Sequence, residues 1–217
     1  RVDYGPGLKR KLTDSLGRVR TFDLQVAQGI GRIKTSSGSG CGSCPGEGGA
    51  AHDLDDRLRI ETSTDASGAV TMLTHDSRGN MLTRTEGYGT PQKRTLTSTY
   101  HGMYSLPTSI KRQSLSGAGK ESTVLFEYDE RGNLLKRTEA GFDGTVPITR
   151  NVIYTYDEYG KLLSMDGPRT DVNDVATLEY YPNTPDQGLN RGMLRTMRNA
   201  LGQETTFSQY NGFGSPG

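Results

Sequence analysis

Three stretches of this chain align without gaps, and their shared core is an aspartate, two variable residues and a glycine. They are Leu73–Glu86, Phe126–Glu139 and Tyr154–Gly167, and the first two agree at eight of fourteen positions. Weaker copies of the same core stand at Asp14–Gly17, Asp65–Gly68, Asn199–Gly202 and Asn211–Gly214. A recurring unit constrains the fold more than any local propensity, because every copy has to solve the same folding problem. The chemistry of the core is that of a tight hairpin. Asp or Asn at the first position of a type I turn accepts hydrogen bonds from the backbone just ahead. Glycine at the fourth position takes a left-handed conformation, which lets the chain re-enter an antiparallel ladder through a bulge. The pairs Asp76 with Gly79, Asp129 with Gly132, and Asp157 with Gly160 are therefore assigned to turns.

The flanks read as strands. Val124, Phe126 and Tyr128 alternate with Leu125 and Glu127, and Val152, Tyr154 and Tyr156 repeat that layout. After each turn a Leu-Leu pair opens a second strand that becomes polar. The expectation is an all-β chain of consecutive antiparallel β-hairpin repeats forming a curved or coiled sheet. Spacing between turns is uneven, so connections must vary, and loops are expected at 87–91, 116–121, 140–147, 167–175 and 182–192. The organisation reads as an N-terminal hairpin repeat over 1–34, a Gly/Ser/Cys-rich loop or insertion over 35–52, and hairpin repeats over 53–217.

Charge and composition exclude several classes. Lys and Arg number 26 against 25 Asp and Glu, a balance that does not supply the concentrated basic surface nucleic acid requires. No apolar run is long enough to cross a membrane as a helix. Both cysteines, Cys41 and Cys44, lie in a Gly/Ser context unlike the helix start that lowers a redox thiol's pKa. With His52 they supply at most three ligands of a structural zinc site, so a surface loop with a local disulfide or free thiols is the simpler reading. Other constellations are incomplete. Gly117–Glu121 has Glu121 where a phosphate loop needs Ser or Thr. Ala176 occupies the glycine position of a calcium loop that would begin at Asp171. Carboxylates at Asp53, Asp55, Asp56 and Glu127 read as turn acceptors and solvated strand faces. No nucleophile, base and orienting group converge, so no enzyme, no cofactor and no catalytic residue is expected.

The Tyr128-Asp129-Glu-Arg-Gly132-Asn-Leu-Leu and Tyr156-Asp157-Glu-Tyr-Gly160-Lys-Leu-Leu copies resemble the RHS or YD repeat family, with His75 replacing the tyrosine in a third copy. The resemblance covers residues 53–217 and one copy near Asp14. It implies a long sheet of hairpins coiled into a hollow shell. The family includes bacterial polymorphic toxins, insecticidal toxin-complex components, wall-associated proteins and teneurins. In the toxins the shell encloses a C-terminal effector freed by self-cleavage, and no cleavage motif or effector is found here.

Two roles follow as expectations. The first is a structural segment of such a shell, enclosing or displaying another polypeptide, outside the cell or on its surface. The second is an adhesion or glycan-binding module, with Tyr128, Tyr154 and Tyr156 as an aromatic platform. Their recurrence at one place per unit fits cross-strand pairing that holds hairpins in register. The partners expected are flanking repeats or further copies of the chain, associating end to end, and a glycan or cargo polypeptide.

Overall fold

The structure is a computed structural model and describes residues 2–4, 7–38, 49–114 and 120–212. The chain divides into two units, Arg1–Tyr100 with Ile110–Lys120, and His101–Ser109 with Glu121–Gly217. One division point, between Ser109 and Ile110, falls inside a strand.

The first unit holds β1 (Val2–Tyr4), β2 (Lys9–Thr13), β3 (Val19–Ala27), β4 (Ile30–Gly38), β5 (Ala51–Leu54), β6 (Ile60–Thr64), β7 (Val70–His75), β8 (Met81–Glu86) and β9 (Arg94–Tyr100). Residues of β10 (Pro107–Gln113) fall in both units. The second unit continues with β11 (Glu121–Tyr128), β12 (Leu134–Asp143), β13 (Val146–Tyr156), β14 (Leu162–Asp166), β15 (Val175–Tyr180), β16 (Leu194–Arg198) and β17 (Glu204–Thr206). A short 3-10 turn, Pro185–Asn190, lies between β15 and β16. From β1 to β9, and again from β11 to β17, each strand pairs antiparallel with its neighbour in sequence. The fold is all-β, built of consecutive hairpins.

Parts of two segments expected to be loops are strands. Residues 35–38 extend β4 and residues 51–52 open β5, tied by the Thr35–Ala51 pair and by the Ser36 amide donating to the Ala50 carbonyl at 2.8 Å. Asp23 also accepts from the Thr35 hydroxyl at 3.0 Å, so the polar composition serves the ladder. Residues 140–147 form the tip of the β12–β13 hairpin, paired down to Asp143 opposite Val146. Only Gly144 and Thr145 remain as the turn, and Gly144 supplies the positive φ, +60°, that a two-residue hairpin demands. Cys41 and Cys44 lie outside the described residues.

Among the described residues, neither unit stacks a second layer on its own sheet. Strands touch their sequence neighbours, and Leu58 and Tyr210 are the apolar side chains buried among the described residues. The two faces of the second unit differ nonetheless. Register puts Phe126 with Arg137 and Val152, Tyr154 with Met165 and Ala176, and Leu178 with Met197 on one face. Alternation adds Leu135 and Leu163 to it. The opposite face carries Leu125 with Thr138 and Asn151, Lys136 with Ile153 and Asp166, Thr155 with Ser164 and Thr177, and Glu179 with Thr196. The first face holds more aromatic and long apolar side chains, and the opposite face holds more hydroxyls.

Candidate functional site

The recurring element is the turn with the tyrosine ahead of it. In the copies at Asp76, Asp129 and Asp157 the aspartate amide donates to the carbonyl four residues on, at 2.9 Å each. The glycine amide closes the turn on the aspartate carbonyl at 3.0–3.1 Å. One carboxylate oxygen accepts the amides two and four residues ahead, at 2.8–2.9 Å. The second oxygen of Asp76 and of Asp129 accepts the side-chain amide of Asn80 or Asn133 at 2.8 Å. Gly79, Gly132 and Gly160 have φ of +92°, +87° and +80°, the left-handed conformation that glycine adopts without cost. These bonds favour the charged carboxylate. The Asn133 amide is the main cause holding Asp129 below the ordinary value of 3.8. The Arg18 side chain does the same for Asp14, the Arg59 amide for Asp55 and the Ser67 hydroxyl for Asp65.

Two further copies do not show the repeat pattern in their residues. Asp55 builds the same turn, accepting the Arg57 and Arg59 amides, but its fourth position is Leu58 with φ +60°. Leu58 is only 4% exposed, so burial of its side chain compensates a backbone conformation that disfavours it. At the β9–β10 connection the acceptor is an imidazole. His101 Nδ1 takes the amides of Met103 and Tyr104 at 3.2 and 3.3 Å, and the ring stacks on Tyr104. Asp-x-x-Leu in the first, read as a member of the turn series, was the signal available; the second has none.

The tyrosines act between hairpins. Tyr128 and Tyr156 sit where the register of their own hairpin shifts, and each hydroxyl reaches the preceding one. Tyr128 donates to the Pro107 carbonyl at 2.9 Å and Tyr156 to that of Leu134 at 3.0 Å. Tyr100, Tyr180 and Tyr210 do the same to Met81, Leu162 and Leu194. The reason lies in the ladder. Main-chain pairing between hairpins ends at Thr97, Ile153 and Thr177, each three residues before the tyrosine, and the phenol takes over where the strands part. Burial pushes the Tyr128, Tyr156 and Tyr180 phenols up, so they stay protonated donors. Tyr154 is different: its hydroxyl has no partner among the described residues. His75, at the tyrosine position of its copy, pairs with Met81 and supplies no such hydroxyl.

Successive turns are also joined. Arg59 donates to the Asp76 carbonyl at 2.7 Å, Tyr104 to Glu130 at 3.2 Å and Lys161 to Gly192 at 2.6 Å, while Arg131 reaches the Glu158 carbonyl. Each unit is therefore stitched twice at this end of its strands, through phenols and through turn side chains. Remaining candidates are scattered. His52 is half-buried opposite Ser63, and Asp53 accepts the Thr62 hydroxyl. Among the described residues no group of three His, Cys, Asp or Glu side chains stands where it would hold a metal ion.

No family model and no curated protein matches the chain. Among solved structures it is similar to TcdB2-TccC3 without its hypervariable C-terminal region, at 16% identity and TM-score 0.44, over 93% of this chain and 12% of that one. It is similar to the Photorhabdus luminescens Tc holotoxin pore at 15% identity and TM-score 0.44, over 94% and 13%. A porin-like protein from Bacteroides uniformis is similar at 15% identity and TM-score 0.40, over 91% and 87%. The chain thus spans about an eighth of the length of the two toxin chains.

Proposed function

We propose that this chain is a non-enzymatic, structural section of a YD-repeat β-sheet that encloses or displays another polypeptide outside the cell. The observation that carries this reading is the sheet of the second unit, whose more apolar face is covered by no second layer from the described residues of that unit. Leu135, Leu163, Met165 and Met197 stand 37–43% exposed on that face. Contiguous apolar surface of this kind marks a contact waiting for a partner. The stitching of turns and phenols supports a wall-building role, since it serves cohesion between hairpins and leaves no convergent reactive groups. Flanking repeats or further copies extend such a wall through strand pairing. The glycan-platform alternative draws less support, because the Tyr128 and Tyr156 hydroxyls are engaged by backbone carbonyls.

Methionine oxidation tests the reading. In the isolated chain Met165 and Met197 oxidise readily, alongside Met103, which is 76% exposed in a connection. In the longest natural form of the protein the first two are protected several-fold while Met103 still reacts. Equal oxidation of Met165 and Met197 in both forms contradicts an enclosed or displayed polypeptide.

A further inference from the structure

The first unit carries a pocket of about 230 Å3 lined by Arg84, Glu86, Arg94, Thr95, Leu96 and Arg112. Register explains how they meet. Arg84 stands opposite Leu96 and Glu86 opposite Arg94, so all four share one face of the β8–β9 pair. Three arginines and one glutamate line the pocket. Arg84 forms an ion pair with one oxygen of Glu86 at 2.9 Å, and Arg94 donates to the other at 3.1 Å. That arrangement uses both oxygens and leaves most of the donors on each fork pointing elsewhere. Arg112 has no carboxylate partner among the described residues.

The charge count is the informative part. Three arginines and one glutamate leave two uncompensated positive charges in one cavity, within a chain whose net charge is only +1. A pocket serving stability alone would balance its guanidiniums, since like charges on adjacent strands destabilise a sheet. Glu86 holds two of the forks in place, and Leu96 gives the floor an apolar surface, which strengthens charge interactions near it. Planar forks with free N–H pairs match oxyanions in geometry as well as charge.

We propose that this pocket binds a dianionic oxyanion, phosphate or sulfate, either free or borne as an ester. Two positive charges match two negative ones, and the three forks offer the donors. Surface exposure makes the interaction weaken as salt rises.

Calorimetric titration of the whole chain with inorganic phosphate, at neutral pH and low ionic strength, tests the proposal. It predicts one saturable site, weakened at least tenfold by Arg112→Ala and unchanged by Arg32→Ala at an exposed arginine elsewhere. Arg112 is exposed and has no ion-pair partner among the described residues, so its removal leaves the thermal melt unchanged and the comparison clean. A parallel titration with dextran sulfate separates the sources. Tighter binding per sulfate group, lost in Arg112→Ala, assigns an ester on a polymer, and tighter binding of inorganic phosphate assigns the free ion. Absence of saturable binding to either probe, or equal binding by wild type and Arg112→Ala, overturns the proposal.

Discussion

Leu58 sets two residue-scale forces against each other. Its φ of +60° costs a side chain about 1–2 kcal/mol, while burial to 4% exposure returns about 1.5–3 kcal/mol. Truncation to alanine loses the burial and keeps the strain. Truncation to glycine loses the burial and releases it. Leu58→Gly is therefore expected to be more stable than Leu58→Ala by about 1 kcal/mol, the reverse of the usual order in a strand or helix. Urea unfolding of the two variants checks this, and an alanine variant equal to or better than glycine rejects it. The tyrosines give a second comparison. Tyr128→Phe, Tyr156→Phe and Tyr180→Phe each remove one hydrogen bond and leave a carbonyl unpaired, at a cost of about 1 kcal/mol. Tyr154→Phe removes a hydroxyl with no partner and should be neutral in the same measurement. Four equal effects would deny the phenols their role between hairpins.

At the scale of the element, the hairpin turn is where charge and fold meet. Asp14, Asp55, Asp65 and Asp129 are held below the ordinary value of 3.8 in the folded chain by the hydrogen bonds their carboxylates accept. A depressed folded value means stability that is fully present above the unfolded value and lost as pH falls through the folded one. Acid titration should therefore weaken the protein below pH 3.8, and Asp129→Asn should flatten that slope while lowering stability at neutral pH. The Asn199 turn makes the same amide contacts with an uncharged side chain, so Asn199→Ala should leave the acid slope unchanged. An Asp129→Asn variant with the wild-type acid slope contradicts the assignment.

These turns were legible because aspartate and glycine at fixed spacing dictate one geometry. Where another residue met the same requirement, the pattern vanished: Leu58 replaces the glycine and the His101 imidazole replaces the carboxylate. Residues 35–38, 51–52 and 140–143 look like loop by composition, yet Thr, Ser and Ala pair well along an exposed ladder. The arginine pocket was beyond reach for a different reason. Arg94 and Glu86 meet only once the β8–β9 register is known, and a one-residue slip would place them on opposite faces.

For the molecule as a whole, low aliphatic content and abundant glycine describe a chain that makes hairpins and not a layered core. Each strand depends on the next, through ladders, phenols and turn side chains, as expected of a quasi-one-dimensional repeat. Among the described residues of the second unit nothing covers the more apolar face of its sheet, and the proposed role supplies a cover. A photo-crosslinking residue at Leu163, on that face, compared with one at Ser164, on the opposite face, tests this in the longest natural form of the protein. The account predicts crosslinks from position 163 to peptides of an enclosed or displayed polypeptide and none from position 164. Equal crosslinking from both positions, or none from position 163, would contradict it.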